Sequence, residues 1–307
     1  MIAAQQIAPT TGIGIPTDEK HLFKNILLAT DFSPASKKAL EYAASLARRY
    51  GSSLYLTHVI TVDSYPLASP EYAVSSLQNM HDRARQGFRD LLKSGELIEL
   101  PYKVLIQEGS FWPSIEEAIK SYKIDLLVVG THGAGAVEKV LIGSGAEEIF
   151  RKAKVPVLTV GPSVTKESLY EIEFKNILFA TDFGTSAERE AEYAVSLAQK
   201  HCSRLRLVHV LPHPEAYGKD ILAERRETSM VQLRELVASE TDLHYKLDFE
   251  VAVGEPVKQI LRIAEETKAD LIIMGAKGRS SLAGNVPHTK AHRVVCGARC
   301  PVLTVRS

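Results

Sequence analysis

The sequence is poor in cysteine and has no excess of charge of either sign. Its 307 residues include only three cysteines, Cys202, Cys296 and Cys300, which are too few and too unevenly placed for a disulfide framework. Lys plus Arg and Asp plus Glu are both 37, so the formal net charge is zero. Binding to nucleic acid regardless of sequence needs an excess of positive charge, and this composition argues against it. A reducing, cytoplasmic setting fits better than a secreted one.

Long apolar runs are also missing. No stretch approaches 18 consecutive apolar residues, so we expect no membrane-spanning helix. Residues 1–21 have no basic n-region, and Gln, Thr, Pro and Gly interrupt their apolar residues, so the sequence predicts a flexible tail rather than a secretory signal. Motifs of common enzyme classes are absent as well: there is no G-x-x-x-x-G-K-[ST], H-E-x-x-H or G-x-S-x-G.

What the sequence does contain is an internal repeat. KNILLATDF at 24–32 recurs as KNILFATDF at 175–183, an offset of 151, and VPVLTV at 155–160 recurs as CPVLTV at 300–305, an offset of 145. The change in offset indicates a net deletion of six residues in the second copy. A length of 307 residues also suits two domains. We therefore predict a tail at 1–21, a first domain at 22–162, a linker at 163–173 and a second domain at 174–307.

Each copy alternates strand and helix signals. Short apolar runs without polar alternation indicate strands that are buried on both faces, and amphipathic segments separate them. In the first copy Ser33 is a natural N-cap, Pro34 suits the first helical position and Gly51 ends the helix. The pattern predicts two tandem α/β domains of the flavodoxin-like or Rossmann-like kind. Each would be a five-stranded parallel sheet of order 3-2-1-4-5 with helices on both faces.

The residues with the clearest chemistry follow the first and fourth strands of the first copy. In open parallel sheets, ligands bind beyond the carboxyl ends of the strands where the strand order reverses. Asp31 follows strand 1, and Gly130, Gly133, Gly143 and Ser144 form a G-x2-G-x9-G-S pattern after strand 4. Glycines let a ligand approach the backbone, and the helix that begins after the motif attracts anions. Together they predict a site for an adenosine phosphate, with Asp31 facing the ribose or a bound Mg²⁺.

These motifs resemble those of the universal stress protein family. The likeness lies in the glycine spacing, the ATDFS strand end, the His-Val pair at 58–59 and the terminal PVLTV, and it covers both copies. It implies a nucleotide-binding fold of the adenine nucleotide alpha hydrolase-like type and pairing of two such domains. It also implies, for a subset of the family, ATP binding through the glycine motif. Carried onto this sequence, the nucleotide contacts would be Thr30, Asp31, Val59, Gly130, Thr131, His132, Gly133, Gly143, Ser144, Gly145 and Ala146.

The second copy departs from this pattern. It keeps Gly275 and Gly278, but His288 stands in the third glycine position. An imidazole there should obstruct the path of phosphates and resist a positive φ, so we expect that the second domain has lost ordinary ATP binding. The alternative is that Lys277, Arg279 and His288 give cationic contacts to a phosphate in another pose.

The sequence thus favours a cytoplasmic stress-response protein that binds ATP, with Mg²⁺, in its first domain and senses or regulates through that nucleotide. The second domain would be the partner in an intramolecular pseudo-dimer, and a further homodimer stays open. Neither nucleic acid nor a membrane is an expected partner. Two alternatives remain: a slow ATPase or nucleotidyl-transfer enzyme, and an interaction scaffold that binds no nucleotide.

Overall fold

The structure of the chain is a computed structural model. It describes residues 22–61, 70–131, 143–161, 163–164, 172–212, 215, 218–237, 246–276 and 289–306. The predicted tail at 1–21 and most of the predicted linker at 163–173 lie outside the described residues. Side chains of residues 70–73 are likewise not described.

The first half alternates strands and helices along its length. Its elements are β1 (Asn25–Ala29), α1 (Pro34–Tyr50), β2 (Ser53–Ile60), α2 (Pro70–Leu92), β3 (Tyr102–Glu108), α3 (Phe111–Ser121), β4 (Leu126–Gly130), α4 (Ser144–Lys152) and β5 (Val157–Val160). Helix α1 begins and ends as its sequence predicts. The Ser33 hydroxyl accepts the Ser36 N–H, Pro34 is the first helical residue, and Gly51 closes the helix at φ 64°.

The second half repeats this order. Its elements are β6 (Asn176–Thr181), α5 (Ala187–His201), β7 (Arg204–Leu211), α6 (Lys219–Glu235), β8 (Lys246–Val253), α7 (Pro256–Glu266), β9 (Leu271–Gly275), α8 (Lys290–Gly297) and β10 (Val302–Val305). None of the helices in the described ranges has the length and apolar character needed to cross a bilayer.

All ten of these strands join one sheet. Their order is β3-β2-β1-β4-β5-β10-β9-β6-β7-β8, so each half has its first strand at the centre and its second and fourth strands on either side of it. Within each half the neighbouring strands run parallel. This is the Rossmann-like α/β architecture that the alternating pattern predicts.

The two halves meet at one antiparallel pair of strands. Leu303 of β10 lies opposite Leu158 of β5, and β5 pairs with β4 on its other side. Both strands are buried along their whole length. The pairing therefore covers the apolar edge that each half would otherwise present to water.

Helices cover both faces of the sheet and enclose two cores. In β1, Ile26 and Leu28 point to the face covered by α1, α2, α5 and α6, whereas Leu27 and Ala29 point to the face covered by α3, α4, α7 and α8. Because side chains alternate along a strand, a run that is apolar at every position fills both cores. Each core includes residues of both halves, so the sheet and its two layers form one packed body.

Candidate functional site

A crevice opens in the first half at the point where the strand order reverses. Strands β1 and β4 are neighbours, yet β1 continues by way of α1 to β2 on one side and β4 by way of α4 to β5 on the other. The two connections therefore leave the carboxyl ends of these strands in opposite directions. Such a divergence is where open α/β sheets bind their ligands.

A cavity of about 510 Å³ occupies this crevice, a size typical of small-molecule sites. Four segments of the chain, distant in sequence, supply its walls. Its lining residues are Ala29, Thr30, Asp31, Ser36, Thr57, His58, Val59, Thr61, Phe111, Ile115, Val129, Gly130, Gly143, Ser144, Gly145, Ala146 and Glu148.

A tight turn after β1 presents Asp31 to the crevice. The Asp31 carboxylate accepts the Ser33 N–H at 3.0 Å, and the Thr30 hydroxyl accepts the Phe32 N–H at 3.0 Å. Phe32 has a φ of 64°, a left-handed conformation that is strained for an aromatic residue. Asp31 is exposed and is one of the residues that line the crevice.

His58 supports this turn from β2. Its Nδ1 lies 2.8 Å from the Thr30 carbonyl oxygen, which fixes the tautomer with the proton on Nδ1, and its ring packs 4.7 Å from that of Phe32. The second half repeats the arrangement, with His209 Nδ1 at 2.9 Å from the Thr181 carbonyl and its ring 4.5 Å from Phe183. Burial lowers the pKa of His209 despite the opposing effect of that hydrogen bond. Both histidines thus hold the turn in place.

The two ends of the glycine-rich segment are brought together. The Gly143 N–H donates to the Thr131 carbonyl at 2.6 Å, which closes the base of the segment that leaves β4 and returns at α4. Gly143 is the N-cap of α4, and no side chain caps it. The first N–H groups of this helix, at Ser144, Gly145 and Ala146, therefore border the cavity with the positive end of the helix dipole.

Glycine is required here for space rather than for an unusual φ. A Cβ atom on Gly130 would lie 2.6 Å from the Ala35 carbonyl, and one on Gly145 would lie 3.0 Å from the Phe111 ring. Gly143 has φ −57° and ψ 149°, a conformation open to any residue. Gly130 is therefore required because α1 packs closely against β4. Gly145 is required because the Phe111 ring lies close to the first turn of α4.

Most of the sequence-predicted contacts line the one cavity. They are Thr30, Asp31, Val59, Gly130, Gly143, Ser144, Gly145 and Ala146. Thr131 is the exception among the described candidates: it is fully buried, and its hydroxyl donates to the Val160 carbonyl at 3.3 Å. His132 and Gly133 lie outside the described residues.

The cavity has little fixed positive charge. Among its described lining residues there is no Lys or Arg, and Glu148 is paired with Lys152 at 2.6 Å. Across the described ranges, no three His, Cys, Asp or Glu side chains cluster as metal ligands. Asp31 nevertheless suits Mg²⁺, which is often held by one carboxylate together with substrate phosphates.

Sequence reasoning missed two apolar walls of the cavity. Phe111 and Ile115 come from the first turns of α3, a helix that carries no motif. Their signal was weak because apolar residues on an amphipathic helix are usually core residues. Only the tertiary packing of α3 against β2 and α4 shows that they border the crevice.

The second half has a larger cavity at the equivalent place. It measures about 800 Å³ and is lined by Ala180, Thr181, Asp182, Gly184, Thr185, Ser186, Glu190, Val208, Val210, Pro256, Ile260, Met274, Gly275, Ala276, Thr289, Lys290 and Ala291. Gly278 and His288, on which the expected loss of ATP binding depends, lie outside the described residues. Thr289 caps α8 by accepting the His292 N–H.

This architecture is that of a tandem α/β protein in which the described residues of each half line a cavity at the point where the strand order reverses, and comparison with known proteins gives the family. The family model of the Universal stress protein family matches residues 22–161 and again residues 173–306. The chain belongs to the universal stress protein family.

Relatives of the same length share the duplication. A universal stress protein of Mycolicibacterium smegmatis is 27% identical over 92% of this chain and 96% of its own length. Universal stress protein Slr1230 of Synechocystis is 23% identical over 92% of this chain and its full own length. The crystal structure of a universal stress protein from Archaeoglobus fulgidus covers 93% of this chain and 96% of its own, with a TM-score of 0.70 and 24% identity. It shows the same fold.

Proposed function

We propose that this stress protein binds ATP, with Mg²⁺, in the crevice of its first half. The observation that carries the proposal is the convergence of eight sequence-predicted contacts from separate segments on one cavity of about 510 Å³. A crevice that joins an exposed carboxylate, apolar walls and the N-terminus of a helix offers a partner to each part of a nucleotide.

The roles of the residues follow from their chemistry. Asp31 would accept hydrogen bonds from ribose hydroxyls or approach a phosphate-bound Mg²⁺. The Val59 backbone, with Ile115 opposite in the lining, would receive the flat adenine base. The first N–H groups of α4 and the Ser144 hydroxyl would hold phosphate oxygens, since the helix dipole favours negative charge there.

In this proposal the second half is the structural partner of the first. Strand β10 lies against β5 and completes an intramolecular pseudo-dimer in one chain. Nucleotide that binds only the folded first half would stabilise it by mass action, which gives the protein, in the cytoplasm, a means of sensing nucleotide level. The proposed domains are 22–162 and 174–307.

Gly143→Val tests the phosphate end of the site. The added side chain would crowd the start of α4 without straining the backbone, because Gly143 already has φ −57° and ψ 149°. We expect the variant to bind ATP at least about tenfold more weakly, which corresponds to a loss of about 1.4 kcal/mol of binding free energy. The measurement is calorimetric titration of the full chain with Mg-ATP.

Gly218→Val is the matched control. Gly218 is also a helix N-cap, with φ −66° and ψ 159°, and a Cβ atom there would meet nothing within 4 Å. It lies at the start of α6, away from the crevice lining.

Equal ATP affinity for wild type and Gly143→Val would contradict the proposed phosphate site. Absence of ATP binding by the wild-type chain would remove the function.

A further inference from the structure

The two halves differ in the residue that follows their last strand. After the repeated PVLTV it is Gly161 in the first half and Arg306 in the second. Because β5 and β10 are antiparallel at the seam, the end of β10 lies beside the start of β5, with Thr304 opposite Val157. Helix α4 ends just before β5, so Arg306 of the second half lies next to the carboxyl end of a helix of the first half.

Arg306 closes the carboxyl end of α4. The last four carbonyls of a helix have no N–H partner within the helix itself. In α4 the Ala153 N–H donates to the Ile149 carbonyl at 2.8 Å. The Arg306 guanidinium donates to the next two carbonyls, that of Phe150 at 3.1 Å and that of Arg151. A cation at this end also offsets the negative end of the helix dipole.

Both partners in this contact are held by the rest of the fold. The Arg306 backbone carbonyl accepts a hydrogen bond from Arg189 Nη1 at 2.9 Å, and Val305 before it is buried and lies opposite Gly275 in the sheet. On the other side, Ile149 fixes α4 in the core that both halves share. A strand near the centre of the sheet therefore holds the end of a helix that belongs to the other half.

The reciprocal contact of the first half with α8 is made by backbone. A Cβ atom on Gly161 would lie 2.7 Å from the Val295 carbonyl oxygen, close to the carboxyl end of α8. Gly161 has no side chain with which to bond the last carbonyls of that helix. The bond from Arg306 to α4 therefore has no equivalent at this position of the repeat, and the two halves do not depend on each other in the same way.

Helix α4 is short, so its two ends are linked. Its nine residues span about 14 Å, or about two and a half turns. Ser144, Gly145 and Ala146 at its start line the first cavity, whereas Arg306 is not among the described residues of that lining. Because so short a helix orders cooperatively, a bond at its last turn affects the position of its first N–H groups.

We propose that Arg306 is a positioning residue for the phosphate end of the first site, so that the second half sets the ATP affinity of the first. The inference rests on the proposed function, because it takes the start of α4 as the phosphate contact. Arg306 acts through α4 and not by contact with the nucleotide. Its effect is therefore confined to phosphates: ATP affinity depends on Arg306, and the affinity for adenosine does not.

Arg306→Met in the full chain removes the guanidinium and keeps an unbranched apolar side chain. We expect Mg-ATP to bind about fivefold more weakly than to wild type, and adenosine within about twofold, both by calorimetric titration. Arg306→Lys, which keeps the cation but not the paired donors, should recover ATP affinity to within about twofold. Amide hydrogen exchange of the nucleotide-free chain should be faster in α4 of Arg306→Met and unchanged in α7.

Arg299→Met is the matched control. Arg299 also follows a helix of the second half, but its side chain is 73% exposed and pairs with Glu265 at 2.9 Å on the surface. This variant should keep the wild-type affinities for ATP and adenosine and the wild-type exchange of α4.

Three results would overturn the inference while leaving the proposed function in place, provided that wild type binds ATP. They are wild-type ATP affinity in Arg306→Met, an equal loss for ATP and adenosine, and unchanged exchange in α4. The second would show a general disturbance of the crevice, and the third that Arg306 does not hold the helix. Absence of ATP binding by the wild-type chain would instead reject the proposed function and, with it, the role of Arg306.

Discussion

Tyr50 and His201 occupy the same position in the two copies of the repeat, and their rings meet across the boundary between the halves. Their centroids are 6.1 Å apart at an interplanar angle of 57°. The Phe174 N–H donates to His201 Nδ1 at 3.3 Å, and the Phe23 ring lies 5.4 Å from Tyr50. This aromatic cluster belongs to both halves, so a change of charge within it acts on their association.

His201 should make the protein sensitive to acid. Because Nδ1 accepts a backbone N–H, protonation there breaks that bond. The pKa of His201 is lowered to about 3, first by burial and then by the charges of Arg49 and Lys200. Because the pKa of His201 is lower in the folded chain than its value near 6.5 in the unfolded chain, its contribution to the free energy of unfolding is complete above pH 6.5. That contribution is lost progressively as the pH falls below 6.5. We expect a loss of about 2 kcal/mol between pH 7 and pH 5 from this group, measured by urea unfolding.

His201→Phe tests the assignment because it cannot be protonated. The variant should lose less stability between pH 7 and pH 5 than wild type, by about 2 kcal/mol. If His201→Phe and wild type fall in parallel, His201 is not the acid-sensitive group.

Helix α5 ends on a strained cysteine. Cys202 has φ 49° at the C-cap, where the first copy has Gly51 at φ 64°. A side chain costs about 1 kcal/mol in this left-handed conformation, whereas glycine adopts it freely. Cys202→Gly should therefore stabilise the chain by about 0.5–1 kcal/mol, and Gly51→Ala should destabilise it by a similar amount. Thermal unfolding under reducing conditions gives both values. Shifts of the same sign for the two variants would contradict the argument.

Gly130 should matter to stability even without a ligand. Because an added Cβ would come within 2.6 Å of the Ala35 backbone, Gly130→Ala must displace α1 from β4. Overpacking of this kind costs about 1–3 kcal/mol. Urea unfolding of nucleotide-free protein should show that loss, whereas Gly143→Val should be near wild type in the same assay. An unchanged midpoint for Gly130→Ala would mean that the contact relaxes without cost.

Leu303 should link the unfolding of the two halves. It lies opposite Leu158 at the seam and is 2% exposed. Leu303→Ala should cost about 2–5 kcal/mol, and Ile98→Ala, at a side chain 64% exposed, should cost little. Because the cores are shared, scanning calorimetry should show one transition for wild type. Two separate transitions in the wild-type chain would indicate that each half is stable alone.

The repeat made most of the fold predictable. Because KNILLATDF at 24–32 recurs as KNILFATDF at 175–183, the first strand of each half could be placed, with Asp31 after one and Asp182 after the other. Ser33 and Pro34 fixed the start of α1 because capping is a local property. The last residue of a strand was harder to place: β1 ends at Ala29, just before Thr30, because pairing with the neighbouring strands decides where a strand stops.

The features that sequence reasoning missed depend on tertiary packing. Glu190 lies in an amphipathic helix, where a glutamate is usually solvated, and only the later start of α5 shows that it is buried beside Gly275. The left-handed φ of Phe32 is equally unexpected, because aromatic residues rarely adopt it. The burial of Thr131 and the hydrogen bond that its hydroxyl donates to the Val160 carbonyl also depend on tertiary packing.

The antiparallel seam between β5 and β10 also sets the direction in which each half faces. Parallel strands within a half place their carboxyl ends on one side, and antiparallel pairing at the seam turns the second half around. The two crevices consequently open at opposite edges of the sheet. The mouths of the two crevices are therefore separated by the length of the strands, and a contact with the mouth of one leaves the mouth of the other uncovered.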